Sequence, residues 1–149
     1  MDSTFNILDV IPHDQPMSLL DNILEHNEAG LTAGVTITNQ SLFAEDQGVP
    51  SWVGVEYMGQ AIAAYAGVCA RKQNQPVKIG FLVSVRRYEP GCAFFPIGSH
   101  LEIHAEPITD SDTCLQVFNC RIKGTNIDIR ANLNVFMPDD LEAFLEGEK

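Results

Sequence analysis

Basic residues are scarce in this chain of 149 residues, in which 9 Lys and Arg stand against 20 Asp and Glu, a formal net charge of -11. A protein that binds nucleic acid needs a basic surface for the phosphates, so we expect no nucleic-acid partner. Anionic membranes would repel so acidic a protein as well. The longest strongly apolar run, residues 61–70, falls short of the roughly 20 residues that span a bilayer, so we expect no membrane partner.

Several other features are also missing. The 4 cysteines form no CxxC pair, and the first nine residues hold two acids, no base and no apolar segment. We therefore expect that the chain has no secretory signal, that its thiols are reduced and that it is cytoplasmic. The GxSxG, HExxH, P-loop and GxGxxG motifs are absent, so nucleophilic hydrolase, zinc protease and nucleotide chemistry have no support. His100 and His104 have no third ligand at a suitable spacing, and no metal site is predicted.

The pattern of residues predicts one α+β domain over residues 1–149. Two strand-like runs with a turn between them, a polar loop, a long apolar helix and four alternating strands follow one another. Their predicted bounds are 19–26 and 31–38 for the hairpin, 39–50 for the loop, 51–73 for the helix, and 77–89, 98–109, 113–123 and 126–137 for the strands. This order predicts an antiparallel sheet of about six strands wrapped around one buried helix. The exposed edge of such a sheet predicts at least a dimer.

Glu56 breaks the apolar pattern in the first turns of the helix, which otherwise has apolar residues on almost every face. Burial there would favour the protonated carboxyl group, so Glu56 is a candidate acid or base. The alternative is a surface carboxylate favoured by the helix dipole. Gln60 is four residues further on and shares its face, either to orient Glu56 or to complete a polar patch.

The start of the helix offers further candidates for binding a substrate. Ser51 is a plausible N-cap residue. The backbone N–H groups of Ser51, Trp52 and Val53 are expected to lack partners at this end, where they would polarise a carbonyl oxygen. His13 stands between two prolines, and this restricted backbone suits either a catalytic or a structural histidine.

A small group of cations stands out in this acidic chain. Arg86 and Arg87 are consecutive in one predicted strand, and Arg71, Lys72 and Lys78 lie near the end of the helix. They form either a docking site for a phosphate-bearing group or an ordinary solvated face.

Three segments resemble the bacterial 3-hydroxyacyl-ACP dehydratases. Residues 11–21, IPHDQPMSLLD, resemble the opening of these proteins; residues 49–60, VPSWVGVEYMGQ, resemble the start of their helix; and residues 80–88, GFLVSVRRY, resemble the strand that follows. The segments occur in the family's order and span much of the chain. The resemblance is nearest to the dehydratases of aryl polyene biosynthesis clusters.

The resemblance implies a hotdog fold with an active site at a dimer interface, where a histidine and an acid come from opposite chains. The implied reaction removes water from (3R)-hydroxyacyl thioesters and needs no metal or redox cofactor. The substrate would be carried on the phosphopantetheine of an acyl carrier protein, with Arg86 and Arg87 as candidates for binding that arm. Glu56 would be the acid, and the amides of the helix start would bind the thioester oxygen.

The sequence departs from the family's pattern at two positions. Leu42 stands where the family has its catalytic histidine, and Ser51 replaces a glycine. Either His13 has taken the role, or the histidine belongs to another subunit. The alternatives are therefore a homo-oligomer and a heterodimer with a related dehydratase. A hotdog thioesterase and a non-catalytic subunit that completes a related dehydratase remain alternative functions.

Overall fold

The computed structural model describes residues 19–72, 81–108 and 115–136. One helix, α1, spans Gly54–Lys72 and is preceded by a 3₁₀ turn at Ser51–Val53. The strands are β1 (Asn22–Asn27), β2 (Gly30–Thr36), β3 (Val49–Pro50), β4 (Phe81–Arg86), β5 (Phe94–Phe95), β6 (His100–Pro107), β7 (Leu115–Gly124) and β8 (Ile127–Phe136).

Six of these strands form one antiparallel sheet in the order β1-β2-β6-β7-β8-β4. The predicted α+β architecture with about six strands around one helix is confirmed. Two short strands were missed, because two residues are too few to show an alternating pattern. β3, in the predicted loop, pairs with β5, so that Val49 lies opposite Phe95. This pair fixes the chain just before the helix begins.

The alternation along the strands separates an inner face from an outer one. In β6, Leu101 and Ile103 are buried whereas Glu102 is exposed. Ile103 lies between Ala33 of β2 and Ile122 of β7, and all three side chains are fully buried. Each buried Ile contributes roughly 1.5–3 kcal/mol relative to an exposed one. Helix α1 packs against this inner face of β2, β6 and β7.

The expectation that the helix is buried on every side is wrong. Met58 and Ile62 are at most 1% exposed, but Trp52 is 59% exposed and Glu56 is also exposed. Glu56, Gly59 and Ala63 recur at helical spacing, which places them on one face of α1; Glu56 is exposed and the other two are half-buried. The physical reason is that a single sheet wraps one side of a helix. The apolar residues on the other side are left for something else to cover.

Other sequence predictions concern the outer face or lie outside the described residues. His100 and His104 are on the outer face, where their Nδ1 atoms are 3.0 and 2.9 Å from the hydroxyl groups of Thr36 and Thr32. Within the described residues no set of His, Cys, Asp and Glu is placed to hold a metal ion, and no helix is long and apolar enough to cross a membrane. His13, Lys78 and Cys114 are outside the described residues.

Candidate functional site

The first turn of the helix contains the backbone groups that the sequence singles out. The expectation that Ser51 is an N-cap residue is wrong, because Pro50 precedes the 3₁₀ turn and no side chain caps it. The Ser51 N–H is not available to a substrate either, since it donates to the carbonyl oxygen of Ala93 at 2.9 Å. The N–H of Val53 is taken as well, because the 3₁₀ turn at Ser51–Val53 is closed by its hydrogen bond to the carbonyl of Pro50. The N–H of Trp52 shows no partner among the described residues, so of the three predicted amides it remains the candidate for binding a carbonyl oxygen.

The carbonyl group of Ser51 is also held by a distant residue. The Tyr88 hydroxyl donates to it, and Tyr88 lies two residues beyond the end of β4. The close approach requires a glycine at position 54, because a Cβ there would lie 2.0 Å from Tyr88 Oη. Ser51 is thus fixed on both sides by the segment that follows β4. Burial raises the pKa of Tyr88 above its ordinary value, and the neighbouring Cys92 and Tyr57 contribute in the same direction, so the hydroxyl stays protonated.

An aromatic pair covers part of the helix start. The ring centroids of Phe43 and Trp52 are 5.4 Å apart, and Phe43 is 41% exposed. Phe43 has a φ of +70°, which is costly for a bulky side chain. Leu42, at the position of the family's histidine, is half-buried against the hydrophobic core. The loop therefore supplies the ring of Phe43 to the helix start and contains no histidine.

Glu56 is one helical turn beyond Trp52 on the same face and is exposed. The expected burial among large apolar neighbours is not provided by this chain alone. The reason is that the apolar residues near Glu56 in sequence, such as Tyr57 and Met58, point into the core. The carboxyl group therefore stands at the uncovered face of the helix.

Gln60 is 2% exposed. Its Oε1 atom accepts a hydrogen bond from the Leu19 N–H at 2.7 Å. The side chain anchors the chain at Leu19 against the helix, which is a structural task for a buried amide.

Arg86 and Arg87 are both exposed at the end of β4. They immediately precede Tyr88, whose hydroxyl group reaches the helix start. Arg87 has a φ of +64°, a left-handed conformation. Strained non-glycine residues concentrate at functional sites; here, Phe43 contacts Trp52 and Arg87 precedes Tyr88.

The structure joins the helix start to Tyr88, the residue that follows the two arginines, and places Glu56 in the first turn of α1. No described contact joins either arginine to Glu56. Sequence reasoning missed Phe43, Tyr88 and Ala93 as parts of this site. Tyr88 is the last residue of the segment that resembles the family's strand, but no feature of the sequence pairs it with Ser51. Ala93 acts through its backbone carbonyl group, which leaves no signal in the sequence.

A second concavity lies on the outer face of the sheet, away from the helix. It has a volume of about 270 Å³ and is lined by His104, Glu106, Asn119, Cys120, Arg121 and Arg130. Arg121 is engaged by Asp128 through two hydrogen bonds, of 2.8 and 2.9 Å. The opposite charges on its rim largely compensate one another.

Comparison with known proteins links this geometry to one family. Residues 5–146 match the sequence model of the ApeP-like family, described as ApeP dehydratase. Among curated proteins, none matches this chain.

Solved structures share the fold at low sequence identity. A chain of the dehydratase heterocomplex ApeI:P from Xenorhabdus doucetiae has a TM-score of 0.85 at 20% identity, covering 97% of this chain and 99% of that one. A virulence protein of Campylobacter jejuni has a TM-score of 0.59 at 16% identity, covering 90% and 88%. A mutant thioesterase from Pseudomonas aeruginosa has a TM-score of 0.55 at 15% identity, covering 78% and 79%. These likenesses show the hotdog fold that the sequence resemblance implies.

Proposed function

Because this chain belongs to the ApeP-like dehydratase family, we propose that it is one subunit of a hotdog dehydratase. The proposed substrate is a (3R)-hydroxyacyl thioester on an acyl carrier protein, and the product is the trans-2-enoyl thioester. The resemblance of the sequence to the dehydratases of aryl polyene clusters supports a role in that pathway. The partner is a related dehydratase chain, as in the ApeI:P heterocomplex.

One observation carries the proposal. An exposed acid, Glu56, lies four residues beyond Trp52, whose backbone N–H has no partner among the described residues. Acid and oxyanion donors are the two elements that a dehydratase needs from its helix. Both are uncovered in the single chain, as expected for half of a site that a second chain completes.

The reaction divides between these groups in a balanced way. A histidine, either His13 or one of the partner chain, takes the proton from the carbon next to the thioester carbonyl. Protonated Glu56 gives its proton to the hydroxyl group, which leaves as water while the carbon–carbon double bond forms. The proton then returns from the histidine to Glu56 through solvent. No metal or redox cofactor is needed, because no electrons leave the substrate.

The remaining candidates bind the substrate. The N–H group of Trp52 stabilises the charge that develops on the thioester oxygen. The exposed guanidinium groups of Arg86 and Arg87 suit the phosphate of a phosphopantetheine arm. A covering chain would exclude water from Glu56 and thereby favour the protonated form that the elimination requires.

The proposal is tested by incubating (3R)-hydroxyacyl carrier protein with the purified chain, alone and together with a related hotdog dehydratase. Mass spectrometry follows the loss of water from the carrier-bound group. Formation of the enoyl thioester supports the proposal. Release of a free acid instead indicates a thioesterase, and the absence of any product in both samples overturns the proposal.

Glu56→Gln is expected to lower kcat by about 10²-fold or more, because general acid–base groups contribute about 10²–10⁴-fold. The fold should be kept, since the side chain is exposed and has the same size as glutamine. The assay is turnover of the active sample, with thermal melting as a check. Glu102→Gln, an exposed carboxylate on the outer face of β6, is the matched control. Equal rates for the two variants would remove Glu56 from the mechanism.

Leu42 favours a second candidate, a subunit that supports the partner's site without taking part in chemistry. Leu42 stands where the family has its catalytic histidine, so a site that uses the loop of this chain has no histidine at that position. In that case Glu56→Gln leaves the turnover of the complex unchanged, while omission of the whole chain still lowers it. The two candidates are therefore separated by the same variant.

A further inference from the structure

We propose that Tyr88 is a positioning residue for the thioester oxygen. Its hydroxyl group donates to the Ser51 carbonyl and so orients and polarises the peptide group whose N–H, that of Trp52, binds the oxygen. This inference rests on the proposed dehydratase function.

The geometry assigns Tyr88 to this one peptide group. The carbonyl of Ser51 and the N–H of Trp52 belong to the same planar unit and, in a trans peptide, point in opposite directions. With Tyr88 on the carbonyl side, the N–H is directed to the other side, where the described residues provide no acceptor. The preceding peptide unit is held as well, because the N–H of Ser51 donates to the carbonyl oxygen of Ala93 at 2.9 Å. Hydrogen bonds therefore fix Ser51 at its N–H and at its carbonyl group.

A hydrogen bond accepted by an amide carbonyl makes the N–H of the same amide a stronger donor, since chains of hydrogen bonds polarise one another. The Tyr88 hydroxyl therefore acts on the Trp52 N–H in two ways, by fixing its direction and by increasing its partial positive charge. Both effects matter more as negative charge develops on the thioester oxygen than when the substrate first binds. Loss of the hydroxyl should accordingly lower kcat rather than raise KM.

The site is built for this contact. Gly54 leaves room for Tyr88 Oη where any Cβ would collide with it, at 2.0 Å. Burial of the phenol raises its pKa, so the donor keeps its proton at every pH at which the protein works. The segment that follows β4 thus supplies both contacts to Ser51, through the hydroxyl of Tyr88 and the carbonyl of Ala93.

The test is Tyr88→Phe, compared with Tyr65→Phe in the same assay. Tyr65 is a matched control because its hydroxyl also donates to a backbone carbonyl, that of Glu28 at 2.8 Å, but from the middle of α1. Tyr88→Phe is expected to lower kcat about tenfold with KM within about twofold, whereas Tyr65→Phe keeps both values. Equal kcat for the two variants, or an effect on KM alone, would overturn the inference.

A second readout separates failure of this inference from failure of the proposed function. In ¹H–¹⁵N spectra, Tyr88→Phe should shift the Trp52 amide upfield, because its peptide carbonyl loses a hydrogen bond, and Tyr65→Phe should leave it in place. No turnover by the wild type would overturn the dehydratase proposal. An unmoved Trp52 amide would overturn the role of Tyr88, whatever the turnover.

If Tyr88→Phe does not fold, incorporation of 3-fluorotyrosine keeps all rings and hydroxyl groups while making each hydroxyl a stronger donor. The Trp52 amide is then expected to move downfield. An unchanged position contradicts the inference in the same way.

Discussion

At the scale of single residues, burial sets the reactivity of the thiols. Cys120 in β7 is 3% exposed, and burial raises the pKa of its thiol to about 12. Cys69 and Cys92 are half-buried. At pH 8 a thiol of that pKa is ionised in roughly one molecule in 10,000. Because the thiolate is the reactive form, Cys120 should be inert in the folded protein.

Treatment with iodoacetamide at pH 8 is expected to leave Cys120 unmodified in the folded chain and to alkylate it in denaturant. Peptide mass spectrometry measures the modification, and Cys69 and Cys92 in the same sample serve as internal comparisons. Alkylation of Cys120 at the rate found in the denatured chain would mean that β7 opens readily or that the thiol is not buried.

Two glycines of helix α1 show how context decides the effect of one side chain at the scale of an element. A Cβ at Gly54 would meet Tyr88 Oη at 2.0 Å and Ile122 Cδ1 at 2.9 Å. A Cβ at Gly59 would meet nothing within 4 Å. The first glycine permits the helix start to approach β7 and Tyr88. The second lies on the uncovered face and gives up helix propensity without any packing benefit inside the chain.

Gly54→Ala is therefore expected to lower the free energy of unfolding by about 1–3 kcal/mol, the usual cost of overpacking. Gly59→Ala should instead raise it by about 0.5–1 kcal/mol, through helix propensity. Urea unfolding of the isolated chain measures both. Equal effects of the two substitutions would contradict the packing described for the helix start.

Two residues with strained backbones lie in the loops between these elements. Phe43 and Arg87 adopt left-handed conformations, each of which costs on the order of 1 kcal/mol or more. The ring contact of Phe43 with Trp52 offsets part of the first. Arg87 lies between the end of β4 and Tyr88.

At the scale of the whole molecule, the proposed function requires a second chain to complete the site. Trp52, the one tryptophan of the sequence, is 59% exposed in the turn that precedes α1, and Glu56 in the first turn of α1 is exposed as well. Exposed aromatic residues are typical of a surface that becomes buried on association.

When this chain is labelled with 5-fluorotryptophan and the partner is left unlabelled, Trp52 gives the single ¹⁹F signal. Addition of a related dehydratase chain should shift that signal and reduce its change between H₂O and D₂O. The reason is that the proposed partner covers the helix start. An unrelated acidic protein of similar size is the control. A signal unaffected by a partner that restores turnover would place the second half of the site elsewhere.

The alternating and helical periodicities were sufficient to predict the order of the main elements. The four later strands and the hairpin could be identified because one face of each is apolar. β3 and β5 could not, since two residues carry no period. The sequence could not reveal the exposed face of α1. A helix with apolar residues on every side has the same pattern whether its own sheet or another chain covers it.

The sequence by itself determined the antiparallel sheet, the single apolar helix and the position of Glu56 in its first turns, because these follow from local periodicity. Only the tertiary structure decided that Ser51 donates to Ala93, that Gln60 holds Leu19, and that Tyr88 donates to a carbonyl 37 positions away. Such hydrogen bonds depend on how strand register and loop conformation bring distant atoms within 3 Å, and no local pattern of residue types contains that distance.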